Sequence, residues 1–336
     1  MSDKLFKPSD LLWAIGWLCK KTFYTVAPLP LLFLIAGLKG RLKSYRSQAR
    51  VLTYKNLAAV FGRMKSEKEI RAIVRRHFEY AEKNELTYFL PRLEPFAKPD
   101  CWPVEGLEFL DSALALGKGA ILLSAHFGYA RVIKPAISLR GYPVTIVGPR
   151  AGARFRQSYK QAREQKRQTL TRFGKFMHQR LQISNAAYAV NDLAASLNVR
   201  PLVELLRKNE ILFIQGDGLH SANLVNVEVL GQPIPFPEGV MSLALKTGTA
   251  ILPAFAVDTP SGLGIRTIIE KRLELPTNGT EREVVIRYVE CFAHVFESYL
   301  NRYPHLYRWS RENWLEKRRA RGMRKVEQRY SVQQRA

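Results

Sequence analysis

The chain has 336 residues, 46% of them hydrophobic, which is enough for one large domain or two small ones and excludes disorder as the dominant state. Lys and Arg number 53 against 29 Asp and Glu, and the resulting charge of +24 calls for a polyanionic neighbour: nucleic acid, an anionic membrane face or a phosphorylated substrate. Cys19, Cys101 and Cys291 are odd in number, far apart and without ligand spacing, which argues against a disulfide framework or a structural metal site and suits a reducing compartment.

The first segment bears on the choice of polyanion. From Leu11 to Leu38 the only charges are Lys20 and Lys21, among Trp13, Trp17, Phe23 and Tyr24. The charge-free stretch Thr22 to Leu38 is short for a straight span and contains Pro28 and Pro30. Residues 1–43 therefore read as a membrane anchor, either one bent span or a segment lying in the interface, with a pair of buried core helices as the plain alternative. A cleaved signal peptide fits poorly, because the start MSDKLFKPSD is mixed in charge and no clean cleavage site follows. Lys39, Arg41, Lys43, Arg46 and Arg50 follow at once and mark the cytoplasmic side.

Residues 44–103 read as a helical, membrane-proximal region. Leu57, Val60, Phe61, Ile70, Ile73, Val74 and Phe78 recur at three-to-four spacing, and Ser66 to Glu69 form a capping-box start. Pro91, Pro95, Pro99 and Pro103 then break the helix. From residue 104 to 310 short apolar runs alternate with helical patterns. Helices are expected over 107–116, 131–139, 201–208, 239–247 and 281–303. Strands are expected over 119–125, 144–147, 211–214, 250–257 and 265–273. The fold class is α/β, a mixed sheet flanked by helices, preceded by the helical N-terminal region. Residues 311–336 form a basic, solvated or surface-adhering tail.

Four segments could carry chemistry. The run Ala120 to Ala125 ends on His126-Phe127-Gly128, which delivers an imidazole to the mouth of a buried strand, where open α/β sheets place their reactive groups. An imidazole near neutral pH is partly unprotonated and can accept a proton. The plain alternative is a satisfied structural histidine, and the position beside Gly128 favours the base. From Arg150 to Arg180 there are ten Lys and Arg against the single acid Glu164, and Arg150, Arg154, Arg156 and Lys160 lead this set. Such a stretch suits phosphates, and no nucleic-acid module accompanies it, so anionic headgroups are the preferred target. A merely solvated basic helix is its plain reading. Asp217, after strand 211–214, and Glu238, at the start of helix 239–247, lie in loops that are expected to open beside His126. That second helix start also favours an anion. No metal motif or nucleotide loop is present in the sequence.

These segments resemble the lauroyl/myristoyl acyltransferases of lipid A biosynthesis, within the lysophospholipid acyltransferase superfamily. The carrying residues are Val104-Glu105-Gly106-Leu107-Glu108, Gly117-Lys118-Gly119-Ala120 running into His126-Phe127-Gly128, and Arg200 before Asp217-Gly218. Phe236-Pro237-Glu238-Gly239, Leu243 to Gly248, Ile251-Leu252-Pro253 and the early Lys55-Asn56-Leu57 complete them, so the similarity covers most of residues 10–310. The resemblance implies a glycerolphosphate-acyltransferase-like domain at the cytoplasmic face of the inner membrane. It would move an acyl chain from acyl carrier protein or acyl-CoA to a hydroxyl of an anionic glycolipid or phospholipid, with no metal or bound cofactor. In such enzymes a His-x4-Asp/Glu motif supplies a base and its orienting acid. His126 fills the first position, and Arg131 stands in place of the acid. The expectation is therefore His126 as base with Asp217 or Glu238 as partner. Arg131, Arg150, Arg154, Arg156, Lys160, Arg200 and Gly128 would contact substrate. The alternative is a relative that binds anionic lipid without strong turnover.

Overall fold

Prolines and glycines set many of the element boundaries in the computed structural model, which describes residues 7–149, 171, 192–195, 199–218 and 223–310. Helices α1 (Pro8–Val26) and α2 (Leu29–Arg46) are separated at Ala27, whose ψ of 135° is extended because the residue before a proline is pushed out of the helical region. The apolar segment read as one possible bent span is thus two helices. Among the described residues no helix is long and apolar enough to cross a membrane. Helices α3 (Ala49–Phe61) and α4 (Glu67–Leu86) follow. The cap of α4 is reciprocal: Ser66 N donates to Glu69 Oε2 at 2.8 Å, and Glu69 N donates to Ser66 Oγ at 3.4 Å. Helix α2 lies so close to α4 that a Cβ on Gly40 would collide with the Phe78 carbonyl oxygen. Leu32, Phe33 and Ala36 of α2 share one core with Ile70, Val74 and Phe78 of α4, and that core runs on into the sheet. The proline-rich segment that follows is three short 3-10 turns, Leu90–Arg92, Glu94–Phe96 and Pro99–Cys101.

The α/β part begins with β1 (Val104–Glu105), α5 (Leu107–Leu114), β2 (Ala120–Ser124), α6 (Ala130–Ser138), β3 (Val144–Pro149) and β4 (Asp192–Ala195). It continues with α7 (Arg200–Arg207), β5 (Ile211–Gln215), β6 (Leu224–Val229), β7 (Gln232–Pro237) and α8 (Gly239–Thr247). The last elements are β8 (Ala250–Asp258), β9 (Ile265–Ile269) and α9 (Glu281–Arg302). Seven strands form one sheet in the order β1-β9-β8-β2-β5-β3-β4. The five strands from β8 to β4 run parallel, β9 is antiparallel to β8, and β1 is parallel to β9. All five residues of β2 are buried, as a central parallel strand covered on both faces requires. The mixed sheet flanked by helices expected from the sequence is present.

One expected strand is shorter, and four strands, β1, β4, β6 and β7, lie outside the expected ranges. The strand expected over 265–273 ends at Ile269, although Leu273 N still donates to Ile251 O at 2.8 Å. Of these four, β7, residues 232–237, pairs antiparallel with β6. Its three prolines, Pro233, Pro235 and Pro237, alternate along the strand. Alternation puts every missing N–H on the side away from β6, so the ladder loses no donor. The turn between the two strands uses Leu230 at φ 53° and Gly231 at φ 68°, the paired positive angles of a type I′ hairpin. A leucine in that conformation is strained, and its N–H is held by Glu297 Oε1 at 2.6 Å. The basic stretch Arg150–Arg180, apart from Thr171, and the tail from Arg311 lie outside the described residues.

Candidate active site

Strands β2 and β5 are neighbours in register, with Ser124 opposite Gln215, so they release Ala125-His126 and Gly216-Asp217 side by side. Gly216 N closes the pair by donating to Ser124 O at 2.7 Å. The Asp217 carboxylate then meets His126 twice through one oxygen. His126 N donates to Oδ1 at 2.9 Å, and ring Nδ1 donates to the same oxygen at 2.7 Å. A carboxylate only accepts, so the Nδ1 contact leaves Nε2 as the basic nitrogen of the neutral ring. Among the described residues no protein group bonds Nε2. The Tyr307 hydroxyl donates to Asp217 Oδ2 at 3.1 Å. The Asp217 side chain is 2% exposed and that of His126 28%, so the acid is inside and the imidazole faces outward.

The backbone beyond the histidine is fixed by a left-handed turn. Gly128 has φ 56°, and a Cβ there would collide with Ala256 O. Its N–H donates to Leu306 O at 2.7 Å and its carbonyl accepts from the Tyr80 hydroxyl at 2.8 Å. Gly128 thus shapes the turn, with both polar groups already bonded, rather than offering them to a substrate. Phe127 points the other way, into an aromatic cluster with Phe255 at 5.7 Å and Phe296 at 6.0 Å between ring centres. Tyr307 packs on the same Phe296 at 5.4 Å, so the group that steadies Asp217 is itself anchored in the core.

His126 opens on a cavity of about 490 Å³ walled by α4, the start of α6 and residues 307–310, including His77, Tyr80, Arg131, Tyr307 and Arg308. Arg131, in the acid's position of the motif, lies with its guanidinium 3.7 Å from the Tyr88 ring centre and donates to the Tyr88 hydroxyl. It therefore presents a fixed cation to the His126 cavity. His77 is neutral at the cavity wall, because burial pushes its imidazole down to about 4. Burial likewise raises the Tyr80 hydroxyl above the ordinary range.

Other expected site residues are placed differently. Glu238, offered as a second possible acid, stands at the N-cap position of α8 without a side-chain capping bond and is ion-paired to Arg282 of α9; the hydrogen bonds of His126 go to Asp217. The helix start read as an anion site thus carries a carboxylate of its own. Arg200 begins α7 with its side chain 83% exposed and paired to Glu204 at 3.1 Å, and it does not line the His126 cavity. Arg150, Arg154, Arg156 and Lys160 lie outside the described residues. Among the described residues no three His, Cys, Asp or Glu side chains gather to hold a metal ion.

Residues 11–316 match the family model of bacterial lipid A biosynthesis acyltransferases, from the N-terminal helices through the whole sheet. The chain belongs to this family. It is an acyltransferase of lipid A biosynthesis type, and no curated protein matches it. Within this acyltransferase, sequence reasoning missed Tyr307, Tyr80 and Tyr88, which brace Asp217, Gly128 and Arg131. Their contacts are long-range, between residues 90, 48 and 43 positions apart, and no local pattern announces them. Asn56, within the Lys55-Asn56-Leu57 signature, acts structurally. Its amide donates to Trp309 O at 2.6 Å and ties α3 to the segment that carries Tyr307.

Proposed function

We propose that His126 is the general base of acyl transfer and that Asp217 replaces the acid missing at Arg131. The observation that carries this reading is the 2.7 Å hydrogen bond from His126 Nδ1 to a buried carboxylate, with Nε2 facing a cavity. The donor is an acyl thioester on acyl carrier protein or coenzyme A, and the acceptor is a hydroxyl of a phosphorylated glycolipid or lysophospholipid of lipid A type. The acceptor oxygen attacks the thioester carbonyl carbon while Nε2 takes its proton. The new C–O bond forms, the C–S bond breaks, and the departing thiolate recovers the proton from the imidazolium. Asp217 keeps the imidazole in the correct tautomer and stabilises its cationic form. Arg131, fixed on Tyr88, and Arg308 hold phosphate groups of either substrate in the same cavity. Residues 104–310 make up the acyltransferase domain in this reading.

Residues 1–43 dock in the membrane interface rather than crossing it. Supporting this are Leu11, Leu12, Trp13, Ile15, Leu18 and Phe23 of α1, all exposed. Lys20 and Lys21 on the same helix suit anionic headgroups. The localisation is the cytoplasmic face of the inner membrane.

Thioester consumption by the purified protein with a lipid A precursor as acceptor tests the reading. General-base assistance is worth about 10²–10⁴ in rate, so His126→Ala should fall by at least that factor. A lipid-binding relative without turnover predicts equal rates for wild type and His126→Ala, and that result would overturn the proposal.

A further inference from the structure

A second cavity, of about 580 Å³, lies on the other flank of α4, against α2, the turn between β8 and β9, and the end of α9. Tyr80 is the shared wall: it lines both cavities, donates to Gly128 O and packs its ring on Tyr129 at 5.2 Å. This second space is strongly cationic, with Arg41, Arg76, Lys83, Arg266 and Arg302 in its lining against the carboxylates of Glu79 and Asp258. Both carboxylates are engaged by protein. Glu79 accepts from Arg41 at 2.9 Å, and Asp258 is held by His305 at 3.0 Å, Lys83 at 3.7 Å and the Tyr129 hydroxyl at 2.8 Å. Burial alone would raise the Asp258 carboxyl, but these partners outweigh it and keep it ionised. Arg266 is paired with Glu105 at 2.6 Å, yet its Nε is buried without a partner. Among the described residues Arg76 and Arg302 pair with no carboxylate.

The walls are tied to one another, and α2 adds exposed apolar residues beside the cationic ones. Gly40 locks α2 onto α4, and Lys83 Nζ donates to Gly262 O at 2.8 Å, which pins the β8–β9 turn. Leu34 and Leu38 of α2 line the cavity and are 48% and 51% exposed. Leu31, Ile35 and Leu42 extend that apolar surface along the helix. Arg76 and Arg302, exposed at this cavity and without a carboxylate partner among the described residues, beside the exposed apolar residues of α2, match an amphiphile whose head is an anionic phosphate and whose chain leaves along α2. A volume of several hundred cubic ångströms accommodates such a headgroup.

We infer that this cavity binds the phosphate-bearing headgroup of an anionic membrane lipid, at a site separate from the His126 cavity. The bound lipid tethers α2 and α4 to the bilayer and leaves the His126 cavity free for donor and acceptor. The inference does not depend on turnover, so it stands or falls apart from the acyl-transfer reading.

The test is calorimetric titration of the full chain with monomeric dihexanoyl phosphatidylglycerol. Dihexanoyl phosphatidylcholine, glycerophosphoglycerol and inorganic phosphate are titrated in parallel, and thermal melting verifies that each variant is folded. Dihexanoyl phosphatidylglycerol should bind at least tenfold more tightly than the other three. Arg76→Glu and Arg302→Glu should each weaken it at least tenfold, and Arg131→Ala, in the other cavity, should leave it unchanged. Leu38→Asp should remove the advantage of the lipid over glycerophosphoglycerol. Unaltered binding in the folded Arg76→Glu and Arg302→Glu variants overturns the site. Inorganic phosphate binding as tightly as the lipid overturns the lipid assignment, and loss of binding in Arg131→Ala alone assigns the ligand to the His126 cavity instead.

Discussion

Replacing Asp217 by Asn keeps the size of the side chain but removes the negative charge that orients the His126 ring and would stabilise its cationic form. Loss of the orienting carboxylate in a comparable dyad costs about 10⁴ in turnover, so Asp217→Asn should fall by about 10²–10⁴ with little change in KM, as steady-state thioester assays would measure. Tyr307→Phe removes one hydrogen bond to the same carboxylate and keeps the ring in the Phe296 cluster. A bond to a charged acceptor contributes about 1.5–3 kcal/mol to stability, so Tm should fall, while kcat should drop less than in Asp217→Asn because the carboxylate itself remains. Arg131→Glu, which restores the acid of the motif, should not raise activity, because Asp217 already occupies Nδ1 and the cavity loses a cation. A faster Arg131→Glu enzyme would contradict that. His126 is legible from its place after a glycine-bounded apolar run. Asp217 is legible only as one of two acids, because the choice depends on which strand lies beside β2, and strand order is a long-range property. The pairing of Glu238 is hidden for the same reason: its neighbour Arg282 is 44 residues away.

Helix α4 serves both cavities, and its attachments carry two expectations. Gly40→Ala would push a methyl against the Phe78 carbonyl, and overpacking of this kind costs about 1–3 kcal/mol, visible as a lowered Tm. His77, on the same helix, donates through Nδ1 to the His305 carbonyl at 2.9 Å and is held neutral by burial, with its pKa at about 4. Once unfolded it titrates at the ordinary value of about 6.5, so below that pH the unfolded chain binds the extra proton. The contribution is whole above about 6.5 and is lost as pH falls toward about 4, on the order of 3 kcal/mol. His305, also lowered by burial, acts in the same direction. A Tm that stays level from about pH 7 to about pH 4.5 would refute the argument. Most helices and central strands are legible because their hydrophobic period or length distinguishes them. Strand β7 is not, since prolines at 233, 235 and 237 normally argue against a strand, and only their spacing of two reveals an edge with one bonded side.

At the scale of the molecule, the +24 charge and the exposed apolar residues of α1 and α2 act together. The protein should float with vesicles containing anionic lipid at low salt. Removing the apolar anchors with Leu12→Asp and Trp13→Asp should reduce flotation even where charge attraction is intact. Equal flotation of the two proteins would show that charge alone suffices. The apolar, nearly uncharged character of the first segment is legible in composition, but its division into two helices turns on the backbone angle of one residue, Ala27. The dyad also bears on how the molecule folds. An acid five residues beyond its histidine comes into place as soon as the local turn forms, whereas His126 and Asp217 are 91 residues apart. Their meeting waits on the pairing of β2 with β5, and a slip of one residue in that register would turn either side chain to the opposite face. With the roles proposed for His126 and Asp217, catalytic activity becomes a late event in folding, absent from any intermediate that lacks the central strand pair.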